Sequence, residues 1–169
     1  KDVYTMKDLL VALGAKVDFS ESKKIMIINN KKNHKLVVPY NLVSTMRAGV
    51  LTMGPLLARY PKKPIKVALG GGCALGVRDI NWHLAGFKSL GASNSLERGY
   101  VNISTKKGII GSIYKFPKVT VTGTSNLVMA SIFAKGAHYI KNISIEPEVL
   151  DLIDFLNNSG ADIKFLGKR

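Results

Sequence analysis

The chain has 169 residues, 46% hydrophobic and 21% charged, which is typical of a globular domain with a buried core and excludes disordered and fibrous proteins. Its 25 basic and 11 acidic residues give a net charge of +14, which favours anionic partners such as nucleic acid, acidic membranes or phosphorylated metabolites. No apolar run reaches the about 18 residues of a membrane span, and a single cysteine, Cys73, excludes an internal disulfide, so we expect a cytoplasmic protein without a membrane partner.

Three segments of the chain share one pattern: an apolar run with helical spacing, a turn of small residues and the start of a strand. In each segment a glycine stands where the residue after a helix needs a positive φ, at Gly14, Gly91 and Gly160. We expect paired strands after the first two glycines, at about residues 17–28 and 93–104, and an unfinished hairpin after the third.

Helix start signals precede the same glycines. Thr5 with Asp8 resembles a capping box, and Asp79 is a candidate N-cap. Pro147 after Glu146 suits the first position of a helix.

Two further helices are predicted at about residues 45–59 and 124–135, one before the second glycine segment and one before the third. The first segment has no such helix, so one unit is expected to be incomplete. The sequence therefore predicts one α/β (α+β) domain over residues 1–169, with three similar units of βαβαββ type and strands outside packed helices.

A glycine-dense stretch at residues 69–79 is the most unusual part of the chain. It is not a Walker A loop, because Val77 and Arg78 follow Gly76 where Lys and Ser or Thr are required, and its glycine spacing does not fit the dinucleotide fingerprint. Four glycines around one thiol favour a mobile loop that brings Cys73 and Arg78 onto a ligand. The alternative is a tight turn in which the cysteine is a small hydrophobic residue.

Two other segments suit an anion at the start of a helix. Arg47 falls in the first turn of a predicted helix, where backbone N–H groups and the helix dipole favour negative charge. Residues 118–126 repeat this order of strand, hydroxyl-rich turn and helix, and suit a diphosphate or a sugar. The alternatives are a solvated surface arginine in the first case and a simple helix cap in the second.

The remaining candidate site residues give weaker indications of a function. Asp79 and His83 share a helix face, but no second histidine or carboxylate completes a metal site, so a packed surface histidine is expected. Trp82 beside it belongs either to the core or to a ligand wall. We predict no metal and no cofactor.

The order of these motifs resembles the UDP-N-acetylglucosamine enolpyruvyl transferase family, MurA. The shared motifs, in chain order, are Lys1-Asp2-Val3, Pro39-Tyr40-Asn41-Leu42-Val43, Thr45-Met46-Arg47-Ala48, Gly54-Pro55-Leu56-Leu57-Ala58-Arg59, Gly71-Gly72-Cys73-Ala74, Val119-Thr120-Val121-Thr122-Gly123-Thr124 and Glu146-Pro147-Glu148-Val149. The cysteine loop is the most specific, since the sister family that acts on shikimate 3-phosphate lacks it. The resemblance implies an inside-out α/β barrel of two domains (EPSP synthase-like). This chain would be the cysteine-loop domain without its first strand and helix, and the second domain would be absent.

The resemblance also implies an activity and its residues. Phosphoenolpyruvate and UDP-N-acetylglucosamine would be the substrates, Cys73 would deliver a proton and react with fosfomycin, and Arg47 and Arg78 would complete the catalytic set. Residues matching the substrate contacts are Arg47, Arg78, Asp79, Ile80, Asn81, Trp82, Lys118, Val119, Thr120 and Val121.

The sequence departs from the family pattern at several positions. Gly70 and Asp79 stand where the family has proline, and Asn81-Trp82 where Asp-Leu is usual. The family's amino-terminal Lys-Asn pair and its second-domain aspartate and arginines have no counterpart, so the chain alone should turn over nothing. A basic nucleic-acid-binding domain is the first alternative, although aromatic residues do not interleave with the lysines as stacking requires. A non-catalytic scaffold is the second.

Overall fold

The computed structural model describes residues 2–30, 35–44, 46–69 and 80–166, and it has the mixed α/β class that the sequence predicts. The helices are α1 (Asp2–Ala12), α2 (Tyr40–Val43), the 3₁₀ helix η1 (Arg47–Thr52), α3 (Met53–Arg59), α4 (Asn81–Ser89), α5 (Val121–Ser131) and α6 (Pro147–Asn158). The strands are β1 (Lys16–Ser20), β2 (Ile25–Asn29), β3 (Val37–Val38), β4 (Ile65–Ala68), β5 (Ala92–Glu97), β6 (Tyr100–Thr105), β7 (Ile113–Lys115) and β8 (Tyr139–Lys141). No helix in the described part of the chain is long and apolar enough to cross a membrane.

The strands of the described residues form three sheets, of which the two smaller ones correspond to different parts of the four-stranded one. β3 pairs in parallel with β4, which pairs with the antiparallel hairpin of β5 and β6 to give the order β3-β4-β6-β5. β7 pairs in parallel with β8, and β1 and β2 form an antiparallel hairpin. In chain order the units are αββ, βαβαββ and βαβα. This order confirms the predicted repeat of similar, partly incomplete units.

A glycine with positive φ follows the last helix of every unit, as predicted. The φ angle is 104° at Gly14, 87° at Gly91 and 100° at Gly160. After α1 the N–H of Ala15 donates to the carbonyl of Leu10 at 3.0 Å, which satisfies one of the carbonyls left over at the helix end. A side chain would strain the backbone at these three turns.

Packed helices form the centre of the core. Fully buried large side chains come from all three units: Leu9 of α1, Met53 and Leu57 of α3, Phe87 of α4 and Leu127 of α5. α5 packs against η1, α3, α4 and α6, and its residues 123–128 are all buried. β6 buries every second residue, and Val101 and Ile103 belong to the same cluster. The strands therefore surround the helices, as the sequence predicts.

The helix predicted at residues 45–59 consists of two elements, η1 and α3. Pro55 has no N–H to donate, and its ring crowds the carbonyl of Leu51, which disfavours an α-helix through this turn. The N–H of Met53 bonds the carbonyl of Val50, at the spacing of a 3₁₀ helix. The prediction of one continuous helix is therefore wrong.

Other boundaries also differ. α1 spans Asp2–Ala12, so Thr5 lies inside the helix and the predicted capping box is wrong. α5 begins at Val121 rather than at residue 124, because the Thr120 side chain caps it. No strand is present within residues 161–166, where the third hairpin was predicted to begin.

The start of α6 agrees with the sequence. Glu146 is its N-cap and Pro147 occupies the first turn, as predicted. Asp79, the predicted N-cap of the second unit, lies outside the described residues.

Two glycines let α5 approach its neighbours closely. A Cβ at Gly54 in α3 would overlap the backbone carbonyl oxygen of Asn126 and lie 2.6 Å from its Oδ1. A Cβ at Gly86 in α4 would meet the side chain of Leu127, with both methyl carbons at 3.1 Å. A side chain can move aside more easily than packed backbone, so the two positions differ in their tolerance of a methyl group.

Gly54→Ala should therefore lower the free energy of unfolding by about 1–3 kcal/mol, the usual cost of overpacking a core. Gly86→Ala is the matched control, because the about 1 kcal/mol gain in helix propensity offsets its milder contact. Urea denaturation of both variants measures the difference. Equal stabilities would show that the α3–α5 approach is looser than the structure indicates.

His138 has a buried ring nitrogen that lacks a hydrogen-bond partner among the described residues. Its Nδ1 accepts a hydrogen bond from the N–H of Ser112 at 3.2 Å, so the neutral ring carries its proton on Nε2. That Nε2 is buried and has no hydrogen-bond partner among the described residues. Burial lowers the pKa of His138 below its ordinary value, which favours the neutral ring in the folded protein.

The stabilising contribution of neutral His138 should be fully present above the ordinary histidine pKa of about 6.5 and be lost as the pH falls through the lowered pKa of the folded state. His138→Asn should flatten this part of the stability profile, since an asparagine oxygen can accept from Ser112 without titrating. Urea midpoints between pH 7.5 and pH 5 test the prediction. An unchanged slope in the variant would assign the pH dependence to other groups.

Candidate functional site

The carboxyl ends of parallel strands lead toward the segments that carry the candidate residues. β3 and β4 are parallel neighbours, so they end at the same edge of their sheet. β3 is followed by α2 and η1, while β4 is followed, after residues 70–79, by α4. β7 precedes α5 in the corresponding position of the next unit. The topology therefore gives η1 with α3 and α5 equivalent places in their units, while α4 follows β4 at the same sheet edge.

The predicted catalytic residues lie mostly outside the described part of the chain. Cys73, Arg78 and Asp79 belong to residues 70–79, which are not described. Arg47 is the first residue of η1, but the structure does not describe its side chain. The roles predicted for these four residues stay predictions.

The start of α4 is fixed by contacts on its inner side. Ile80 and Trp82 are partly buried against the core, whereas Asn81 is exposed. The carbonyl of Trp82 accepts a hydrogen bond from the Tyr114 hydroxyl of β7 at 3.1 Å. Burial raises the pKa of Tyr114, so this hydroxyl stays protonated and can donate at neutral pH. Trp82 thus packs on the core, while Asn81 faces solvent.

The start of α5 combines a cap, a dipole and a lysine. The Thr120 Oγ1 accepts from the N–H of Gly123 at 3.2 Å, as an N-cap does. Lys118 and Val119 precede it and are exposed. Among the described residues no ion pair involves Lys118, so its charge adds to the positive end of the helix dipole. This arrangement suits an anionic ligand.

The first turn of α5 is tied to the segment before α6. The Thr124 hydroxyl donates to the carbonyl of Thr120 at 2.6 Å and accepts from the N–H of Ser144 at 3.0 Å. Thr124 and Ser144 are both buried, so these bonds form away from water. Hydrogen bonds on its buried side therefore hold the turn at residues 118–121 in place.

Asn126 is the residue in this region that sequence reasoning missed. Its side chain is 0% exposed and contacts three neighbouring elements. Oδ1 accepts from the N–H of Gly54 in α3 at 2.7 Å, and Nδ2 donates to the carbonyl of Val50 in η1 at 2.9 Å. Nδ2 also lies 3.1 Å from Nδ1 of His83 in α4. One amide thus joins α5 to η1, α3 and α4.

The partners determine the orientation of this amide. A flipped Asn126 would place its NH2 group against the N–H of Gly54, donor against donor. Its second N–H must then donate to His83 Nδ1, so the histidine proton is on Nε2. His83 is 7% exposed, and the expectation of a surface histidine is wrong. The sequence signal was an asparagine in the apolar run of α5, where a buried polar group needs partners.

The described part of the site therefore groups three segments around one buried amide. η1 starts at Arg47, α4 follows residues 78–79, and α5 follows residues 118–120. No group of three or more His, Cys, Asp and Glu side chains in the described part could hold a metal ion. The start of α5, with the exposed Lys118 before it, has features of an anion-binding surface.

Comparisons of the sequence with known families identify relatives along the whole chain. The family model described as EPSP synthase (3-phosphoshikimate 1-carboxyvinyltransferase) matches residues 1–168. The chain is 46% identical over 169 residues to a UDP-N-acetylglucosamine 1-carboxyvinyltransferase of Pelagibacter ubique, covering 100% of this chain and 40% of the relative. A protein of the same name from Hydrogenovibrio crunogenus is 46% identical over 163 residues, which are 96% of this chain and 38% of the relative. The chain thus spans about 40% of the length of the curated relatives it matches.

Solved structures show the same fold at low sequence identity. The enolpyruvyl transferase NikO of Streptomyces tendae superposes with a TM-score of 0.78 at 16% identity, covering 98% of this chain and 38% of that one. EPSP synthase of Acinetobacter baumannii gives a TM-score of 0.69 at 16% identity, with 97% and 37% covered. At this identity the likeness concerns the fold alone.

Thr120→Val removes the cap oxygen but keeps the shape of the side chain, and should lower the free energy of unfolding by about 1 kcal/mol. Thr120→Ser keeps the oxygen and is the control. Urea denaturation of the two variants measures the effect. A valine variant as stable as the serine variant would show that the bond to Gly123 contributes nothing.

Proposed function

We propose that the complete protein transfers the enolpyruvyl (1-carboxyvinyl) group of phosphoenolpyruvate to the 3-hydroxyl of UDP-N-acetylglucosamine, because this chain belongs to the EPSP synthase family. The observation that carries the choice of acceptor is the 46% identity to a UDP-N-acetylglucosamine 1-carboxyvinyltransferase along all 169 residues. The cysteine loop, Gly71-Gly72-Cys73-Ala74, supports this choice over shikimate 3-phosphate. The reaction would be the first committed step of peptidoglycan synthesis, in the cytoplasm, and so would serve cell shape and division.

The proposed chemistry is an addition followed by an elimination. The sugar hydroxyl oxygen bonds to C2 of phosphoenolpyruvate while Cys73 delivers a proton to the neighbouring methylene carbon. The hydroxyl proton leaves to a base, and Arg47 and Arg78 offset the negative charge of the tetrahedral phosphate-bearing intermediate. Loss of phosphate and of one methyl proton then restores the double bond in the product. No atom changes its oxidation state overall, so we propose no cofactor.

The helix starts supply the proposed nucleotide site. Residues 78–82 and 118–121 match the segments that contact the UDP-sugar in the resembling family, and both lead into helices. The exposed Lys118 and the dipole of α5 favour a diphosphate. Thr120 caps that helix, so its part in binding would be to hold the turn as well as to contact the ligand.

We also propose that residues 1–169 form the cysteine-loop domain of a two-domain enzyme, without the first strand and helix of that domain. The relatives are longer than this chain, which covers 40% of the first. A second domain would close the cleft over both substrates and provide the remaining catalytic groups. The chain by itself should therefore be inactive.

The complete protein should release phosphate only when both phosphoenolpyruvate and UDP-N-acetylglucosamine are present, and Cys73→Ser should lower kcat by about 100-fold or more, as expected on losing a general acid. Fosfomycin with UDP-N-acetylglucosamine should add mass at Cys73 of the wild type and not of the Cys73→Ser control. Intact-mass spectrometry and a phosphate assay measure both results. Turnover with shikimate 3-phosphate instead, or an unmodified thiol in an active enzyme, would contradict the proposal.

A further inference from the structure

We propose that Asn126 is a positioning residue of the transfer reaction, whose buried amide sets the places of η1, α4 and α5 relative to one another. This inference rests on the proposed function, because η1 begins at Arg47 and the segments 78–82 and 118–121 lead into α4 and α5. Asn126 itself touches no substrate in this proposal. It acts through the elements that it joins.

The Asn126 amide bonds to both sides of the junction between η1 and α3. Val50 and Gly54 are four residues apart, so in a regular α-helix the carbonyl of one would bond the N–H of the other. Both groups instead bond the Asn126 amide, at 2.9 and 2.7 Å, while Val50 also accepts from the N–H of Met53. The amide therefore stabilises the change from 3₁₀ to α geometry. The amide thus holds the end of η1, the 3₁₀ helix that begins at Arg47.

The Asn126 Nδ2 also lies 3.1 Å from Nδ1 of His83 in α4. His83 is in the first turn of α4, directly after the segment 78–82, and it is buried. A hydrogen bond from the Asn126 amide is directional, so a rotation or shift of α4 would break it. The amide thus couples the start of α4 to the end of η1.

Asn126 also lies on the same helix as the turn at Thr120, close to the start of α5. Asn126 lies six positions after Thr120, about 9 Å along the helix at 1.5 Å per residue. The turn at Thr120 is anchored to Ser144 through Thr124, so α5 provides a firm support for the amide. Apolar packing alone would bury the same area at several helix offsets, whereas the amide selects one.

Asn126→Ala in the complete protein is the principal test, with Asn157→Ala as the matched control. The Asn157 amide also makes two bonds to backbone, with the N–H and carbonyl of Ile163 at 2.9 and 3.0 Å, but it lies at the end of α6. Asn126→Asp is the second variant, because it keeps the shape and the acceptor for Gly54 and loses both N–H donors. It preserves the test if the alanine variant does not fold.

Hydrogen–deuterium exchange gives a readout that is independent of activity. In the Asn126 variants, amides of residues 47–54 and 80–84 should exchange at least about tenfold faster, while those of β1 and β2 stay unchanged. In Asn157→Ala the change should be confined to residues 157–163. Unchanged exchange at 47–54 or at 80–84 would overturn the inference.

Kinetics then distinguish positioning from a loss of folded protein. Asn126→Ala should lower kcat/KM by about 10- to 100-fold, the cost of misplacing reacting groups by about 1 Å, while Asn157→Ala leaves it unchanged. In an Arg47→Ala background the same substitution should lower kcat/KM by a smaller factor than in the wild type, because one of the groups that it positions is gone. An equal factor in both backgrounds would overturn the positioning of Arg47. A wild-type protein without transferase activity would instead refute the proposed function, and exchange alone would then decide the inference.

Discussion

The hydrogen bonds of the Asn126 amide decide how α5 meets its neighbours, because no water reaches this side chain. Each donor or acceptor left unpaired at such a site costs about 1–3 kcal/mol, so helix arrangements that break these bonds are disfavoured. The partners lie on η1, α3 and α4, which belong to a different unit of the chain from α5. The Asn126 amide therefore links the second and third units of the fold.

Close approach of the helices is the condition for these bonds. Gly54 leaves room for the backbone of Asn126, and Gly86 leaves room for Leu127 one position further along α5. Both glycines lie within helices, where they lower intrinsic helix stability relative to alanine. Tight packing with α5 offsets this loss, so helix propensity alone misjudges these two positions.

The repeated units explain why the starts of several helices come together. A parallel strand pair needs a crossover, and the helices of these crossovers pack inside the sheets. Equivalent strands are therefore followed by equivalent helices, and the first N–H groups of each helix lack partners within it. The excess of basic residues in the chain strengthens the attraction of these starts for anions. In the proposed enzyme the anions would be a diphosphate and phosphoenolpyruvate.

Much of this arrangement is readable from the sequence, because its signals are local. The three glycines after helices, the hairpins that follow two of them and the Pro147 helix start depend on backbone preferences of a few neighbouring residues. The motif order also predicted the family and the fold. Whether Cys73, Arg78 and the Arg47 side chain act as proposed is still a prediction, because they lie outside the described residues.

The tertiary structure decided what depends on contacts between distant segments. His83 appeared to be a surface residue because its partner, Asn126, is 43 positions away. The division of one predicted helix into η1 and α3 likewise involves an amide 72 positions from Gly54. Local propensity and periodicity carry no information about such pairs. A buried polar group acquires its role only when folding brings its partners together and removes the water that would otherwise replace them.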